Sequence, residues 1–570
     1  MSISQDFIVN STSLGVSYSL FAPTVATLAD GRTLVAWVKV APGDFVVFTD
    51  PEICARWFNA DGTPLGEDFV VNTTLDGYQW RPSATATAEG TVVVTWESGD
   101  GLGVRAIVLD PELPGASTDF MLTEAATGHV GSFNSASPDV TALSDGRFFA
   151  VWSNNDGSDG NTFGVQGRFF DAAGTPLDTP MLLNSTSLGN QITPSVTELS
   201  DGRILVTFVR SFDGTTNDGG IRARVIQPDG SVLAEDFQVN TTTVGYQASV
   251  DVTALSGGRA VAVWFNSGPI VPDEAGGNPN VGPGEIRAQV IGADGRSEGS
   301  DFVVNATHLD FNYGYPAVTT LANGTALVVW HSGDHGDGDW GCLRGRVLDA
   351  DGKPVSLDFV INSTQMNNQS SPALEALPDG RVLVTWSSDE GSGAGAQTRG
   401  VYFTPVIGDT GADSLVGTGD MDVMMGLGGD DQIAGQPGDD SQMGGTGNDS
   451  LISGAGDDLQ LGQAGADLLN GGRGADMLTG GTGADSLMGG AGADTICFDT
   501  GSGRDKVMDF AQGDLLQITE DLWSGSIADL LANQTRSTDQ GMLIQLGHGD
   551  QILSLGVTST DGWVDAIVLI

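Results

Sequence analysis

The chain has 570 residues and a formal net charge of −50, from 73 acidic and 23 basic side chains. Such a charge excludes attraction to nucleic acid or anionic lipid, and no stretch nears the ~18 continuous apolar residues that span a membrane. The three scattered cysteines, Cys54, Cys342 and Cys497, form neither a disulfide framework nor a zinc cluster and read as small buried hydrophobes.

Residues 1–405 repeat with a period of about 56 residues. The unit runs D-F-x-V-N, a variable stretch, P-x-V-T-x-L-x-D-G-R-x-L-V-x-W, a polar loop, and R-x-x-D-A-D-G. Copies begin at Asp6, Asp68, Asp119, Pro180, Asp236, Asp301 and Asp358. The anchoring aromatics, Trp37, Trp96, Trp152, Phe208, Trp264, Trp330 and Trp386, read as core. Alternating β-branched runs divided by turns at Asp30-Gly31, Asp145-Gly146, Asp201-Gly202 and Asp379-Gly380 predict four short strands per unit. Seven such units predict a seven-bladed β-propeller. The rival, a row of β-sandwich modules, would need a larger core per unit. The chain opens inside a unit and stops short of the next D-F-x-V-N, so residues 7–10 are expected to complete the last blade.

Chemistry is sparse in this half. His129, His308, His331 and His335 form no H-x-x-x-H pair on a helix, and no G-x-S-x-G elbow is present. The densest cluster, 331–340, places Asp334, Asp337 and Asp339 in a glycine-rich loop that reads as a hairpin turn, with blade-loop calcium as the alternative. Similar loops recur at 154–161, 213–219 and 389–393. Over residues 5–405 the repeats resemble those of large bacterial RTX and adhesin-like surface proteins, a resemblance that implies no reaction.

Residues 406–497 carry ten aspartates at a fixed step of nine: Asp413, Asp422, Asp431, Asp440, Asp449, Asp458, Asp467, Asp476, Asp485 and Asp494. Two residues before them stand Gly411, Gly429, Gly438, Gly447, Gly456, Gly465, Gly474, Gly483 and Gly492, with Asp420 in the remaining place. Two residues after most of them stands a large apolar side chain, as at Leu415, Ile433, Leu451 and Leu469. Asp and Gly dominate ordinary turns, but turn chemistry does not explain unbroken nine-residue phasing. This G-G-x-G-x-D-x-U-x pattern is identified as the calcium-binding nonapeptide of RTX proteins.

The physics of the repeat leads the same way. Glycines allow the left-handed turns of a tight loop, and x-U-x is a minimal strand with one inward side chain. Two nonapeptides then make one turn of a parallel β-roll, and alternate aspartates stack along two edges. A cation between successive loops would meet carboxylates and loop carbonyls, an all-oxygen set suited to Ca²⁺. Gln442 and Gln460 at U positions, Ser453 for a first glycine, and Asp420 predict weaker binding in the first units and the middle than over 462–497. One apolar residue per nonapeptide is a thin core, so folding should be coupled to metal.

Residues 498–570 predict a β-rich cap ending in an acidic residue and an apolar tail. This resembles the C-terminal region of the serralysins, where an uncleaved signal is read by a type I ABC exporter. Residues 1–7 show no Sec-type signal. The expectation is an all-β, secreted calcium-binding protein: propeller 1–405, β-roll 406–497, cap 498–570. It would act without catalysis, binding a glycan or protein ligand at a cell surface or in a matrix. The alternative is a secreted hydrolase or lyase with its active site in the propeller funnel. A deep polar funnel with converging carboxylates or histidines would favour the enzyme, and a flat or hydrophobic top face the binder.

Overall fold

A computed structural model describes the chain apart from residues 1–5, 12–22, 41–50, 100–102, 114–116, 124–136, 155–162, 186–188, 212–218, 233, 268–269, 272–279, 282–283, 307–313, 334–340, 357, 363–368, 390–395, 558, 560–565 and 570. The loop carrying Asp334, Asp337 and Asp339 lies outside the described residues, as do His129, His308 and His335. Two compact units emerge, Asp6–Val401 and Tyr402–Ile570.

In the first unit, six four-stranded antiparallel sheets follow one another in a propeller arrangement. The pattern is set by strands buried along all or nearly all of their length, such as Val92–Ser98, Phe148–Asn154 and Ala260–Asn266. Successive side chains of a strand point to opposite faces, so such a strand must be covered on both. Val92, Val94 and Trp96 pack with Leu34, Ala36 and Val38 of the preceding sheet, while Val93 packs with Phe148, Ala150 and Trp152 of the following one. The same alternation joins Phe149 and Val151 to Ile204 and Val206, and Val261 and Val263 to Ala326 and Val328. The unit aromatics sit in these layers, and Trp37, Trp96, Trp152, Phe208, Trp264, Trp330 and Trp386 are at most 1% exposed.

The D-F-x-V-N motif is the last strand of each sheet. Phe237–Gln238, for example, pairs with the preceding Gly220–Ile226. Its asparagine accepts a backbone N–H of that strand: Ile53 to Asn72 (2.9 Å), Val165 to Asn184 (2.8 Å), Ile221 to Asn240 (2.8 Å) and Leu343 to Asn362 (2.6 Å). After the sixth sheet, Gln369–Ala376, Val382–Asp389 and Ala396–Ile407 form a further meander. Its outer partner is Phe7–Ile8, with Phe7 opposite Gly400, and Asn10 accepts the Thr398 N–H at 2.8 Å.

The motif's aspartate ties neighbouring sheets. Asp301 accepts the N–H groups of Thr241 (2.7 Å) and Thr242 (2.8 Å) from the previous sheet's exit loop, and pairs with Arg287 at 2.8 Å. Its side chain is 1% exposed. Asp119 repeats the arrangement with Thr73, Thr74 and Arg105. Removing one partner of a buried pair strands the other, so Asp301→Ala is expected to destabilise this unit by roughly 3–5 kcal/mol, read by denaturant unfolding.

The second unit is a parallel β-solenoid of about six turns. One face stacks Ser414–Val416, Gln432–Pro437, Ser450–Ala455, Leu468–Arg473, Ser486–Ala491 and Arg504–Val507. The other stacks Asp422–Gly428, Ser441–Thr446, Leu459–Gly465, Met477–Gly483, Thr495–Phe498 and Leu515–Ile518. Partners stand 18 residues apart through the repeat (Ile433 opposite Leu451, Leu451 opposite Leu469), so two nonapeptides make one turn. Met424, Ile433, Leu451, Leu469, Leu478, Leu487 and Ile496 fill the interior. Beyond the repeat, Gly541–Gln545 and Gln551–Leu555 form an antiparallel pair. A short helix, Ile527–Asn533, interrupts the strands, with Ser526 as its N-cap accepting the Asp529 N–H. Among the described residues no helix is long and apolar enough to cross a membrane.

Candidate metal centre

Each repeat aspartate uses its two oxygens differently. Oδ1 accepts the backbone N–H of the aspartate one turn earlier, from Asp413 to Asp431 (2.8 Å) through to Asp476 to Asp494 (3.0 Å). The two columns predicted along the edges are therefore hydrogen-bonded ladders. The second oxygen, Oδ2, is buried without a hydrogen-bond partner at Asp431, Asp440, Asp449, Asp458, Asp467, Asp476, Asp485 and Asp494. These eight residues are 1–3% exposed.

The loop glycines form a cradle around that oxygen. A methyl group placed on Gly462 would lie 2.5 Å from Asp467 Oδ2 and 2.5 Å from the Gly480 carbonyl oxygen of the next turn. Gly417 stands in the same relation to Asp422 Oδ2 (2.5 Å) and the Gly435 carbonyl (2.5 Å). Carboxylate and carbonyl oxygens thus converge on one point between turns. Among the described residues no three His, Cys, Asp or Glu side chains gather as a ligand cluster. A cation here would take its donors from aspartates and carbonyls, and an all-oxygen set of this kind fits calcium.

The second loop glycines make this stacking possible. Gly447 and Gly465 adopt φ of 136° and 147°, and a Cβ on Gly465 would strike the Gly447 carbonyl oxygen one turn below. Gly411, at the start of the repeat, is exposed. Gly492, at its end, packs under the Gly474 carbonyl. Three non-glycine residues hold left-handed positions elsewhere in the repeat: Leu427 (φ 75°), Gln436 (81°) and Gln463 (77°). Such conformations cost about 1–2 kcal/mol, partly offset by the unfolded-state entropy of glycine. Gln463→Gly is therefore expected to stabilise the calcium-loaded roll by roughly 0.5–1 kcal/mol, measured as a rise in melting temperature.

The irregular units separate into two kinds. Asp413 Oδ2 accepts the Asp409 N–H (2.7 Å), and Asp422 accepts the Thr418 N–H (2.6 Å) on Oδ2 and the Thr418 hydroxyl on both oxygens. Neither has the buried, partnerless oxygen of the later units. Gln442 and Gln460, by contrast, are absorbed without breaking the ladder. Both are 0% exposed, and Gln460 Nε2 donates to Gln442 Oε1 at 3.0 Å inside the roll. Ser453 donates to the same Gln442 oxygen at 3.3 Å.

Burial pushes the ladder carboxyls up, to about 8 at Asp458, about 7 at Asp440 and Asp467, and about 6 at Asp476. The N–H that each accepts pulls the other way, and aspartates nearby in the roll add repulsion. Cys54 and Cys497 move to about 12 and about 11 by burial, as inert apolar thiols do.

Sequence spacing misses the aspartates that follow the repeat. Asp505 and Asp514 accept the N–H groups of Asp485 (3.0 Å) and Asp494 (3.2 Å), but at a step of 20 residues. Asp550 accepts Gly501 and Gly503 N–H, and Asp509 accepts Gly489 and Gly490 N–H. The surviving signal is Gly503-Arg504-Asp505-Lys506-Val507, a G-x-D-x-U displaced by two residues.

The propeller unit holds a cavity of about 670 Å³, lined by the first strands of its sheets. Its walls carry Asp139, Asp251 and Glu375 with Arg81, Ser83, Ser195 and Tyr315. Asp139 accepts Ser83 Oγ–H (2.6 Å) and Val196 N–H (2.8 Å), and Asp251 accepts Ser195 Oγ–H (2.9 Å) and Val318 N–H (2.9 Å). These carboxylates tie adjacent sheets. Burial raises Asp251 to about 6 and Glu375 to about 7. Arg81, Ser137, Thr193, Ser249, Tyr315 and Ser371, at equivalent points of this lining, hold φ between 33° and 55°, backbone strain of the kind found at functional sites. His331, the one described histidine of this unit, is 8% exposed in Ala326–Ser332 and does not line the cavity.

The model of the RTX calcium-binding nonapeptide repeat matches four copies, at residues 407–442, 438–469, 461–496 and 470–507. The C-terminal region thus carries RTX repeats, which bind calcium. No curated protein matches the chain. Among solved structures, a protein of unknown function from Dyadobacter fermentans is 13% identical, covering 70% of this chain and 98% of its own, with a TM-score of 0.42. An α-L-arabinofuranosidase from Fusarium graminearum is 11% identical, with coverages of 70% and 97% and a TM-score of 0.40. An α-L-arabinanase from Penicillium chrysogenum is 14% identical, with coverages of 70% and 98% and a TM-score of 0.41.

Proposed function

We propose that this chain is an exported calcium-binding protein whose β-roll folds on extracellular calcium, and whose N-terminal ring then serves as a non-enzymatic binding surface. The observation that carries the calcium reading is the column of buried, partnerless carboxylate oxygens from Asp431 to Asp494. A buried carboxylate without a partner is costly, and eight in register make sense with cations between the turns. The ligands are the aspartates from Asp413 to Asp494 and carbonyls of the glycine loops. External calcium is millimolar, and extracellular modules bind at roughly 10⁻⁴–10⁻³ M, so the roll stays unfolded inside the producing cell.

Export through a type I ABC exporter follows from the repeat family, with the address in residues 498–570. Removing residues 511–570 should trap the protein in the cytoplasm, and continued export would place the signal elsewhere.

The ring is best read as seven-bladed, with Phe7–Ile8 closing the last blade. Three contacts support closure, the first two of them between the last meander and the first sheet. The Arg381 guanidinium donates to the Ala60 carbonyl, as Arg203 does to Ala293 and Arg259 to Ala350 in consecutive sheets. The Thr27 N–H donates to the Glu375 carboxylate. Asn10 receives the Thr398 N–H.

The partner of this ring is a glycan or protein ligand at a cell surface or in a matrix, sought by glycan-array and cell-adhesion binding. A second reading, a hydrolase or lyase in the funnel, is favoured by the polar axial cavity and its carboxylates. Against it, Asp139 and Asp251 spend their oxygens on ties between sheets, which leaves Glu375 as the candidate acid. Turnover of a glycan that vanishes in Glu375→Gln would establish the enzyme, while binding without turnover supports the first reading.

A further inference from the structure

We infer that the axial cavity of the propeller unit binds an amino sugar with free ammonium groups, held directly by the Glu375 carboxylate. This rests on the reading of the ring as a surface that binds a glycan, and it names the class of glycan.

The cavity carries charge without a counter-ion. Asp139, Asp251 and Glu375 stand on Asp139–Ala142, Gln247–Ala254 and Gln369–Ala376, the first strands of three alternate sheets, and all three line the cavity. Among the described residues Arg81 is the one cationic side chain of that lining, and Glu97 holds it at 3.2 Å. Asp139 and Asp251 accept hydroxyl and backbone N–H groups, which spread their charge but do not cancel it. Asp251 also feels the Asp139 charge. Among the described residues the Thr27 N–H is the one donor to Glu375, which leaves this carboxylate an oxygen for a ligand. Enclosed carboxylates with no cation beside them are costly, so a cation that enters relieves them.

The lining also selects the kind of cation. Among the described residues no three His, Cys, Asp or Glu side chains gather closely enough to hold a metal ion, so a compact ion cannot collect these carboxylates. The ligand must be broader, and about 670 Å³ lies within the roughly 300–1,000 Å³ of small-molecule sites. In four of the first strands a bulge sets two residues against one, as between Trp80 and Ser83 or between Ile192 and Ser195. A bulge re-aims a side chain. At the left-handed positions of this level Ser137, Ser249 and Tyr315 are partly exposed and bear hydroxyls. Hydroxyls exchange hydrogen bonds with the hydroxyls of a sugar, whereas a bare polyamine has no use for them. Carboxylates for ammonium and hydroxyls for hydroxyl describe an amino sugar.

Isothermal calorimetry on the full chain in millimolar calcium tests this with two probes. These are the β-1,4-linked dimer of glucosamine and its N-acetylated counterpart, which differ in whether the nitrogens are charged. The amine dimer should bind one to one and roughly tenfold or more tightly than the acetylated dimer. Glu375→Gln keeps an oxygen for the Thr27 N–H and removes the charge. It should weaken the amine dimer by roughly tenfold or more, with the ring's thermal transition unmoved. Equal binding of the two dimers, or an amine dimer indifferent to Glu375→Gln, would overturn the inference. Spermidine bound as tightly as the amine dimer would overturn the sugar assignment. Should Glu375→Gln misfold, the two dimers on the unaltered chain still decide, because diffuse attraction to an acidic surface gives many weak sites that salt screens. A different glycan bound without effect of Glu375→Gln would leave the ring a binding surface and remove this site alone.

Discussion

Chelating calcium should abolish the thermal transition of Tyr402–Ile570 and leave that of Asp6–Val401 in place. The two units stand on different physics. In the ring, each sheet buries both faces of its second strand against neighbours, and the aspartate–arginine ties are internally neutral. In the roll, one apolar side chain per nonapeptide points inward, while eight carboxylates bury an oxygen that nothing in the chain neutralises. Leaving one buried charge uncompensated costs ~3–5 kcal/mol, and whole domains are stable by only about 5–15 kcal/mol. The metal-free roll cannot carry such a load at neutral pH. Calorimetry with millimolar calcium should therefore show two transitions, and with chelator only the ring's. Two transitions in both conditions would mean the carboxylates are tolerated without metal.

The second large effect is a proton–calcium exchange. Burial lifts Asp458 to about 8, Asp440 and Asp467 to about 7, and Asp476 to about 6, from an ordinary value of 3.8. A group whose folded value is raised binds more protons folded than unfolded. Its stabilising contribution is full below pH 3.8 and is lost as pH rises through 6 to 8. The calcium-free roll should therefore be most ordered in acid and least ordered near pH 8. Calcium must displace these protons, so its affinity should rise across the same window. Each displaced proton contributes about 1.4 kcal/mol per pH unit. Calorimetry in buffers of differing ionisation enthalpy should report several protons released per chain at pH 6 and few at pH 8.5. A calcium affinity independent of pH between 6 and 8 would mean that no ordered, protonated roll precedes calcium binding.

The ladder is legible in sequence because a nine-residue period survives substitutions of single residues. Gln442 and Gln460 look like breaks in the apolar stripe, yet stacking 18 residues apart lets them bond to each other. Asp505 is not legible by spacing, since two inserted residues shift it off the period while the strand beneath restores its place. The propeller strands are legible from alternation and their phase from the incomplete unit at residues 7–10, but not the tie that fixes it, the bond of Asn240 and its equivalents back to the third strand. Asp139 and Asp251 carry no local signal at all, because their partners Ser83 and Ser195 lie 56 residues earlier, one sheet away. The short helix announces itself only through Ser526 and Asp529.

Amide hydrogen exchange of the full chain at neutral pH, with and without millimolar calcium, tests the central claim most directly. Peptides covering residues 422–498 should exchange at unfolded rates in chelator and become protected in calcium, while those covering sheet strands such as 92–98, 148–154 and 260–266 stay protected throughout. Equal protection of 422–498 in both conditions would contradict a roll that is folded by calcium.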